Sequence, residues 1–393
     1  MSSSRELALW VFADALGHEL AERSRLLEDV LPARAPVATV LGYSCTCAPT
    51  ILTGLMPREH GHLSFFTYDP ERSPFRGAQW LAALPKAVTS RARVRHVLSR
   101  AAQRRLGYTG YFNLYNVPFR AMPLFDYTEK RDLYEPGGIN SGAPTIFDRL
   151  RAADVPFHVA DWRRPERETL ATAAEVLGRG EARFAYLYMA ELDGILHAEG
   201  TASGRAATKM AWYEGQLRRL LDRLGNVYDR VRVRLISDHG MADIRGTVDL
   251  ISAVESTGLE FGEDYVAFYD STMARFWFLR PRARDAILRE LARERRGRVL
   301  SPGELRELGV DFPDGRYGEL FFLMDPGVLI VPSFMGERPI AGMHGYHPTD
   351  RDSVAFFAAS DRPARMPRRL DDLHALMWDD AMRAAGRLEQ GAA

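Results

Sequence analysis

The sequence predicts an α/β protein with a central, mostly parallel sheet and helices on both of its faces. Apolar runs about as long as one strand alternate along the chain with segments that have helical periodicity. Several of these runs are apolar throughout, which is typical of strands buried on both faces of a parallel sheet. The chain has 393 residues, of which 46% are hydrophobic, so it can enclose a large core. We expect one large α/β domain with insertions or two unequal domains.

Each predicted strand is a short segment rich in apolar residues that ends at or leads into a polar segment. The predicted strands span residues 7–13, 37–41, 155–161, 183–190 and 231–236. Helical periodicity covers residues 145–153 and 206–224, and the second of these segments has a continuous apolar stripe. Pro49 is expected to open a further helix, because proline is tolerated in the first helical turn.

Two segments interrupt the alternation and are predicted to be insertions. Residues 69–140 are rich in Arg and Tyr, resemble loops, and include a basic helix over residues 94–105. Residues 263–335 contain their own strands and a helix over residues 282–295, which predicts a small α+β lid. The core would then consist of residues 1–68, 141–262 and 336–393.

The charge balance excludes some classes of partner. The 52 basic and 52 acidic residues cancel, which argues against a protein that binds long nucleic acid or a membrane surface. Cys45 and Cys47 are too close in sequence to be good disulfide partners. No stretch approaches the ~20 apolar residues of a membrane helix, and the N-terminal segment reaches an acidic residue too early for a secretory signal. We therefore expect a cytoplasmic protein without membrane insertion.

Several groups that can bind metal ions follow the predicted strands. In open α/β sheets the ligand crevice lies outside the carboxyl ends of the strands, so groups distant in sequence would meet there. The set comprises Asp14, Ser44, Asp193, His197, Asp238, His239 and His344. Mixed carboxylate and imidazole ligands suit zinc, and less often manganese or iron. Seven ligands are too many for one tetrahedral ion and about right for two.

The segments around these residues resemble a known family. Ser44 stands nine residues before Thr53 in Ser44-Cys-Thr-Cys-Ala-Pro-Thr-Ile-Leu-Thr53-Gly, and this resembles the nucleophile segment of the alkaline phosphatase superfamily. The segments at residues 191–197, 237–241 and 343–346 look like metal-binding blocks of its type I phosphodiesterase/nucleotide pyrophosphatase branch. The blocks occur in the family's order and span most of the chain.

The resemblance implies an alkaline-phosphatase-like fold with a two-metal site. Asp193, His197 and His344 would hold one cation. Asp14, Asp238, His239 and the Ser44 oxygen would hold the other. The resemblance also implies attack by Ser44 on phosphorus, a phosphoseryl intermediate and its hydrolysis by water. Zinc is the expected ion and manganese the second candidate.

The residues near Ser44 depart from related patterns in informative ways. Sulfatases need a proline two residues after the nucleophile and an arginine four residues after it, but Thr46 and Ala48 stand there. Nucleotide pyrophosphatases usually have an asparagine that binds a phosphoryl oxygen where this chain has Cys47. Cys45 and Thr46 are the rivals of Ser44 for the nucleophile, and only the offset to Thr53 selects Ser44.

The predicted function is two-metal hydrolysis of a phosphodiester or pyrophosphate bond in a small molecule, nucleotide-like or with a phosphorylated headgroup. Cys47 and Arg275 are predicted substrate contacts, with Arg275 meeting a second phosphate or an anionic leaving group. The same site could instead serve a phosphomonoesterase, a phosphonate hydrolase or a transferase of phosphoryl or phosphoethanolamine groups. A binding protein that keeps the fold without turnover is the remaining alternative, and the complete ligand set speaks against it.

Overall fold

The secondary structure comes from a computed structural model that describes residues 5–83 and 91–388. The strands are β1 (Glu6–Ala13), β2 (Ala33–Val37), β3 (Phe66–Tyr68), β4 (Phe125–Tyr127), β5 (Phe157–Val159), β6 (Phe184–Met189), β7 (Arg230–Ile236), β8 (Ala242–Asp243), β9 (Gly246–Val248), β10 (Tyr265–Tyr269), β11 (Met273–Phe278), β12 (Gly297–Val299), β13 (Leu320–Met324), β14 (Val328–Ile330), β15 (Gly342–Met343) and β16 (Ala355–Ala359). The α-helices are α1 (His18–Ser24), α2 (Ser44–Thr53), α3 (Pro57–His60), α4 (Ala92–Leu106), α5 (Ile146–Ala152), α6 (Glu166–Leu177), α7 (Glu191–Glu199), α8 (Gly204–Gly225), α9 (Leu250–Glu255), α10 (Pro281–Leu291), α11 (Pro302–Glu307) and α12 (Asp372–Ala384).

A six-stranded sheet with the order β2-β16-β7-β1-β6-β5 forms the centre of the fold. The strands β7, β1, β6 and β5 are parallel, whereas β16 runs antiparallel to both β7 and β2. Every residue of β1 is buried, because β1 lies between two strands and under helices on both faces. The predicted fold class, α/β with a mostly parallel sheet, is confirmed.

The side chains of β1 alternate between the two apolar layers that flank the sheet. Leu9 and Val11 pack with residues of α1, α6 and α8 on one face. Trp10 and Phe12 pack with residues of α2, α5 and α12 on the other face. Helices therefore cover both faces, as the sequence predicted. Within the described ranges no helix combines the length and the apolar character that crossing a membrane requires.

Two local predictions near the second strand were wrong. The strand occupies Ala33–Val37 and pairs antiparallel with β16 at the sheet edge, whereas residues 37–41 were predicted. Pro36 is tolerated there because an edge strand need not donate every backbone hydrogen bond. Pro49 lies inside α2, which begins at Ser44; the earlier start is supported by the Thr46 hydroxyl, which accepts a hydrogen bond of 3.2 Å from Tyr43 N.

The lid predicted for residues 263–335 contains an antiparallel sheet with the order β10-β11-β13-β12. The boundaries differ in two places: α10 ends at Leu291 rather than residue 295, and β14 leaves this sheet to pair with β9. The segment of residues 69–140 includes α4, close to the predicted basic helix. Phe125 from this segment packs against Phe268 of the lid with ring centroids 5.1 Å apart, so the two predicted insertions share one apolar core.

Candidate active site

The central strands bring three predicted ligands to one edge of the sheet. Asp14 follows β1 directly, and Asp238 and His239 follow the neighbouring strand β7. One ligand atom from each of the three residues lies within 4.8 Å of the others. We call Asp14, Asp238 and His239 the strand-end group. All three are buried, Asp238 completely, because the sheet, the connecting loops and α2 surround them.

Three further members of the predicted set, Asp193, His197 and His344, also have ligand atoms within 4.8 Å of one another. Asp193 and His197 are four residues apart on α7, so they project from the same side of the helix. His344 follows β15, which the chain reaches about 150 residues later. We call Asp193, His197 and His344 the helix group. Asp193 lies inside α7 rather than at a strand end, since α7 begins two residues before it.

Backbone carbonyls orient two of the histidines. The Nδ1–H of His197 donates to Gly342 O at 2.8 Å, and the Nδ1–H of His239 donates to Gly240 O at 2.9 Å. Because a carbonyl oxygen only accepts, the proton of each neutral ring must be on Nδ1. The Nε2 atoms then carry free lone pairs, as metal-binding histidines with such a partner do. The same Nε2 atoms lie next to carboxylates: His197 Nε2 lies 3.2 Å from Asp193 Oδ1, and His239 Nε2 lies 3.1 Å from Asp238 Oδ2.

The glycines that follow two histidines of the predicted ligand set have steric roles. A Cβ on Gly240 would come within 2.2 Å of Asp352 O, and one on Gly345 within 2.6 Å of the Tyr43 ring. Gly345 also has a φ of +86°, which residues with a side chain rarely adopt. The chain can therefore turn directly after each histidine and keep its imidazole in place.

The two groups are immediate neighbours. The rings of His239 and His344 stack with centroids 3.7 Å apart and planes inclined by 10°. Residues from four separate parts of the chain therefore form one continuous cluster of carboxylates and imidazoles.

The cluster brings three carboxyl groups together, and each has one buried oxygen without a hydrogen-bond donor among the described residues. Asp14 Oδ1, Asp193 Oδ1 and Asp238 Oδ2 are buried and accept no hydrogen bond from the described residues. Burial, and then the charges of Asp238 and Asp193, raise the pKa of Asp14 well above its ordinary value. Although burial opposes it, the carboxylates of Asp238 and Asp14 raise the pKa of His239 to about 10. Buried carboxylate oxygens without donors are costly unless a cation binds them, so the residues present fit divalent metal ions.

Ser44 is the first residue of α2 and lies beside the strand-end group. Its Oγ is 3.1 Å from His239 Nε2, and its side chain lines a cleft of about 510 Å³ that the helix group also lines. The rival Thr46 is fully buried, and its hydroxyl donates to Leu63 O at 2.6 Å. The rival Cys45 borders the cleft, but burial and then the charge of Glu129 raise the pKa of its thiol, so the reactive thiolate is disfavoured.

The two predicted substrate contacts lie outside the cleft lining. Arg275 is fully buried in the lid, where its guanidinium pairs with Asp270 at 2.8 Å and donates to Phe66 O at 3.0 Å. Cys47 lies on the side of α2 that packs into the core, with its Sγ 3.5 Å from Thr39 Oγ1. The prediction of direct substrate binding is therefore wrong for both side chains, because packing inside the protein already occupies them.

Sequence reasoning missed two residues of the site. Tyr188 in β6 donates a hydrogen bond from its hydroxyl to Asp14 Oδ2. Glu129 lines the cleft two residues after β4. The available sign for Tyr188 was its position as the second of two tyrosines in an otherwise apolar strand, three residues before Glu191. Nothing in the sequence around Glu129 distinguishes it from a surface acid.

Comparison with known proteins identifies the family. The family described as type I phosphodiesterase / nucleotide pyrophosphatase matches residues 25–347 of this chain. The chain belongs to this family. The match covers most of the chain, confirms the resemblance found from the motif blocks, and makes the protein a hydrolase of a metal-dependent phosphodiesterase family. No significant relative was found among curated protein sequences.

Solved structures of ectonucleotide pyrophosphatase/phosphodiesterase 5 share the fold. The human protein is 14% identical with a TM-score of 0.67, and the match covers 95% of this chain and 94% of that chain. The murine protein is 15% identical with a TM-score of 0.69 over 98% and 97% of the two chains. An inactive murine variant in complex with AMP is 14% identical with a TM-score of 0.66 over 99% and 97%. At these identities the likeness establishes the fold, including the central sheet that positions the two ligand groups.

Proposed function

We propose that this chain hydrolyses phosphodiester or pyrophosphate bonds in small molecules, with Ser44 as the nucleophile. The observation that carries the proposal is the position of the Ser44 hydroxyl. Its Oγ lies 3.1 Å from His239 Nε2 in the strand-end group, and the helix group lines the same cleft. A hydroxyl beside one of two neighbouring groups that could each hold a cation suits in-line displacement at phosphorus.

The strand-end and helix groups would each hold one divalent cation, with zinc the expected ion. Two bound cations would supply Lewis-acid stabilisation of the charge that develops on the phosphoryl oxygens and would lower the pKa of the Ser44 hydroxyl. The chain's own residues fix the geometry of this chemistry. The hydrogen bonds to Gly240 O and Gly342 O hold the His239 and His197 rings, and Tyr188 holds the Asp14 carboxylate.

Ser44 would attack phosphorus and displace the alcohol or phosphate that leaves, which forms a phosphoseryl intermediate. A water molecule would then attack this intermediate and restore the serine hydroxyl. Ser44 begins α2, so the positive end of the helix dipole lies next to the transferred group. A helix N-terminus favours bound phosphate oxygens through its free amide groups.

The cleft favours a small substrate. Its volume of about 510 Å³ is within the range of pockets for small molecules, and the formal net charge of zero argues against long nucleic acid. The family is described as acting on phosphodiesters and nucleotide pyrophosphates, and the structure of the inactive murine relative is a complex with AMP. The cytoplasmic location remains a prediction from the sequence.

The test compares three chromogenic esters with zinc-loaded protein: bis-p-nitrophenyl phosphate, thymidine 5′-p-nitrophenyl phosphate and p-nitrophenyl phosphate. The two diesters are expected to have the higher kcat/KM. A preference for the monoester would overturn the proposal in favour of a phosphomonoesterase.

The nucleophile is tested with Ser44→Ala, which is expected to lower kcat by roughly 10³-fold or more, because the bond-forming oxygen is removed. Cys45→Ala is the neighbouring control and is expected to stay within about threefold of the original protein. Circular dichroism verifies the fold of both variants. Undiminished turnover by Ser44→Ala would show that another residue attacks phosphorus.

A further inference from the structure

One wall of the cleft carries a buried carboxyl group that no basic side chain of the described residues pairs with. Glu129 is only 5% exposed and lines the cleft together with Ser44. Its carboxylate has no hydrogen-bond or ion-pair partner among the described residues. The contrast with Asp132, three residues later, is instructive. Asp132 accepts hydrogen bonds from Tyr134 N, Trp162 Nε1 and the Arg163 guanidinium.

Several aromatic rings line the same cleft as Glu129. Phe65 lies 5.3 Å from Tyr111 and 5.6 Å from Tyr115, measured between ring centroids. Tyr111 lies 6.3 Å from Trp162. We call Phe65, Tyr111, Tyr115 and Trp162 the aromatic wall. All four residues line the cleft, so several ring faces and edges surround the same space.

No Lys or Arg is part of the cleft lining among the described residues. Arg163 lies over the Trp162 ring at 4.5 Å, but its charge is paired with Asp132 and Asp161. Lys130, next to Glu129 in sequence, forms its ion pair with Asp126. Among the described residues, a second phosphate or an anionic leaving group would therefore find no unpaired positive side chain in the cleft lining, and it would lie in the same cleft as the Glu129 carboxyl group.

The groups that face Glu129 do not supply a counter-charge either. Burial, and then the charge of Asp132, raise the pKa of Glu129 to about 8. Cys45, Tyr127 and Tyr134 are the other titratable groups whose pKa values respond to Glu129, and each of them is neutral or anionic. A positively charged ligand would lower the pKa of Glu129 again, because it would stabilise the ionised carboxylate that burial disfavours.

We propose that the substrate carries a positively charged ammonium group, free or alkylated, which the aromatic wall and Glu129 bind while the phosphodiester lies at Ser44. This inference rests on the proposed function and specifies its substrate class. Aromatic faces attract such cations, particularly when the cation is removed from water, and one carboxylate balances the charge. A neutral base could stack on the same rings, but it would leave the Glu129 carboxylate without a partner.

The test compares two substrates of equal shape with zinc-loaded protein. p-Nitrophenyl phosphorylcholine carries a trimethylammonium group, and p-nitrophenyl 3,3-dimethylbutyl phosphate carries a neutral tert-butyl group in its place. We expect kcat/KM for the charged ester to be at least tenfold higher. In Glu129→Gln this ratio is expected to fall about tenfold, whereas the matched variant Glu135→Gln should keep it, because Glu135 is exposed and outside the cleft lining.

The outcomes separate this inference from the proposed function. Hydrolysis of bis-p-nitrophenyl phosphate together with a ratio near or below one would overturn the ammonium site and leave the phosphodiesterase intact. If folded Glu129→Gln keeps the same ratio of kcat/KM between the charged and the neutral ester, Glu129 does not take part in binding the ammonium group. A clearly higher kcat/KM for the thymidine ester than for the choline ester would indicate that this part of the cleft binds a nucleoside and not an ammonium group.

A binding measurement keeps the inference testable if diester turnover fails or Glu129→Gln does not fold. Isothermal titration of the original protein would compare phosphocholine with 3,3-dimethylbutyl phosphate. We expect phosphocholine to bind at least tenfold more tightly. Equal affinities would overturn the ammonium site whether or not the protein is an active phosphodiesterase.

Discussion

The strand-end group and the helix group use similar ligands but differ in their access to solvent. Side chains of the strand-end group are between 0% and 5% exposed. In the helix group, Asp193 and His197 are 22% and 24% exposed. The first group follows strands at the centre of the sheet, whereas the second combines one helix with a loop that borders the cleft. A cation in the strand-end group should therefore exchange slowly, and substrate should approach from the helix group.

The largest effect is expected from Asp238→Asn in the strand-end group. Asp238 Oδ1 accepts hydrogen bonds from Ala15 N and His239 N, and an amide oxygen can replace it in both. The amide NH₂ would then stand where Oδ2 now has no donor, and it would repel a cation. We expect kcat/KM to fall roughly 10³-fold or more, with about one equivalent of zinc lost in metal analysis. Recovery of activity on addition of millimolar zinc would contradict the expectation that a buried group cannot replace the lost carboxylate ligand by water.

Asp193→Asn is expected to have a smaller and partly reversible effect. The residue faces the cleft, where water can complete the coordination of a cation that has lost one carboxylate ligand. Activity at micromolar zinc should fall about 100-fold and should largely return at millimolar zinc. A zinc titration of both variants under the same conditions checks the difference. Equal behaviour of Asp193→Asn and Asp238→Asn would show that solvent access does not separate the two groups.

The smallest effect is expected from Tyr188→Phe, which leaves all ligands in place. Tyr188 holds the Asp14 carboxylate through one hydrogen bond, and loss of such a partner of a metal ligand commonly costs 10- to 100-fold in metal affinity or activity. We expect a value near tenfold for zinc affinity, measured by competition with a chelator. Tyr186→Phe, two residues earlier in β6, is the matched control because that hydroxyl makes no hydrogen bond with the described residues. Equal zinc affinity in the two variants would rule out a positioning role for Tyr188.

The sequence predicted the parts of the fold in which local pattern and tertiary environment agree. Long apolar runs became β1 and β6 because a central strand must be apolar on both faces. In β7, Arg and Val alternate before the apolar end of the strand. The prediction was wrong at residues 37–41, where an apolar run forms a buried connection and the edge strand precedes it. It was also wrong at Pro49, because α2 already begins at Ser44. The hydrogen bond from Tyr43 N to the Thr46 hydroxyl supports this earlier start.

The amino-acid sequence by itself determined the fold class, the family and the residues of the two ligand groups. These follow from strand-length apolar runs and short motif blocks whose spacing local geometry constrains, such as Asp193 and His197 on one helical face. Only the tertiary structure decided which side chains meet the cleft. It buried Arg275 against Asp270 inside the lid, turned Cys47 into the core, and placed Glu129 in the lining of a cleft that four aromatic rings also line. Such contacts join residues far apart in the chain, and packing between sheet, insertion and lid decides which of them lie in the cleft.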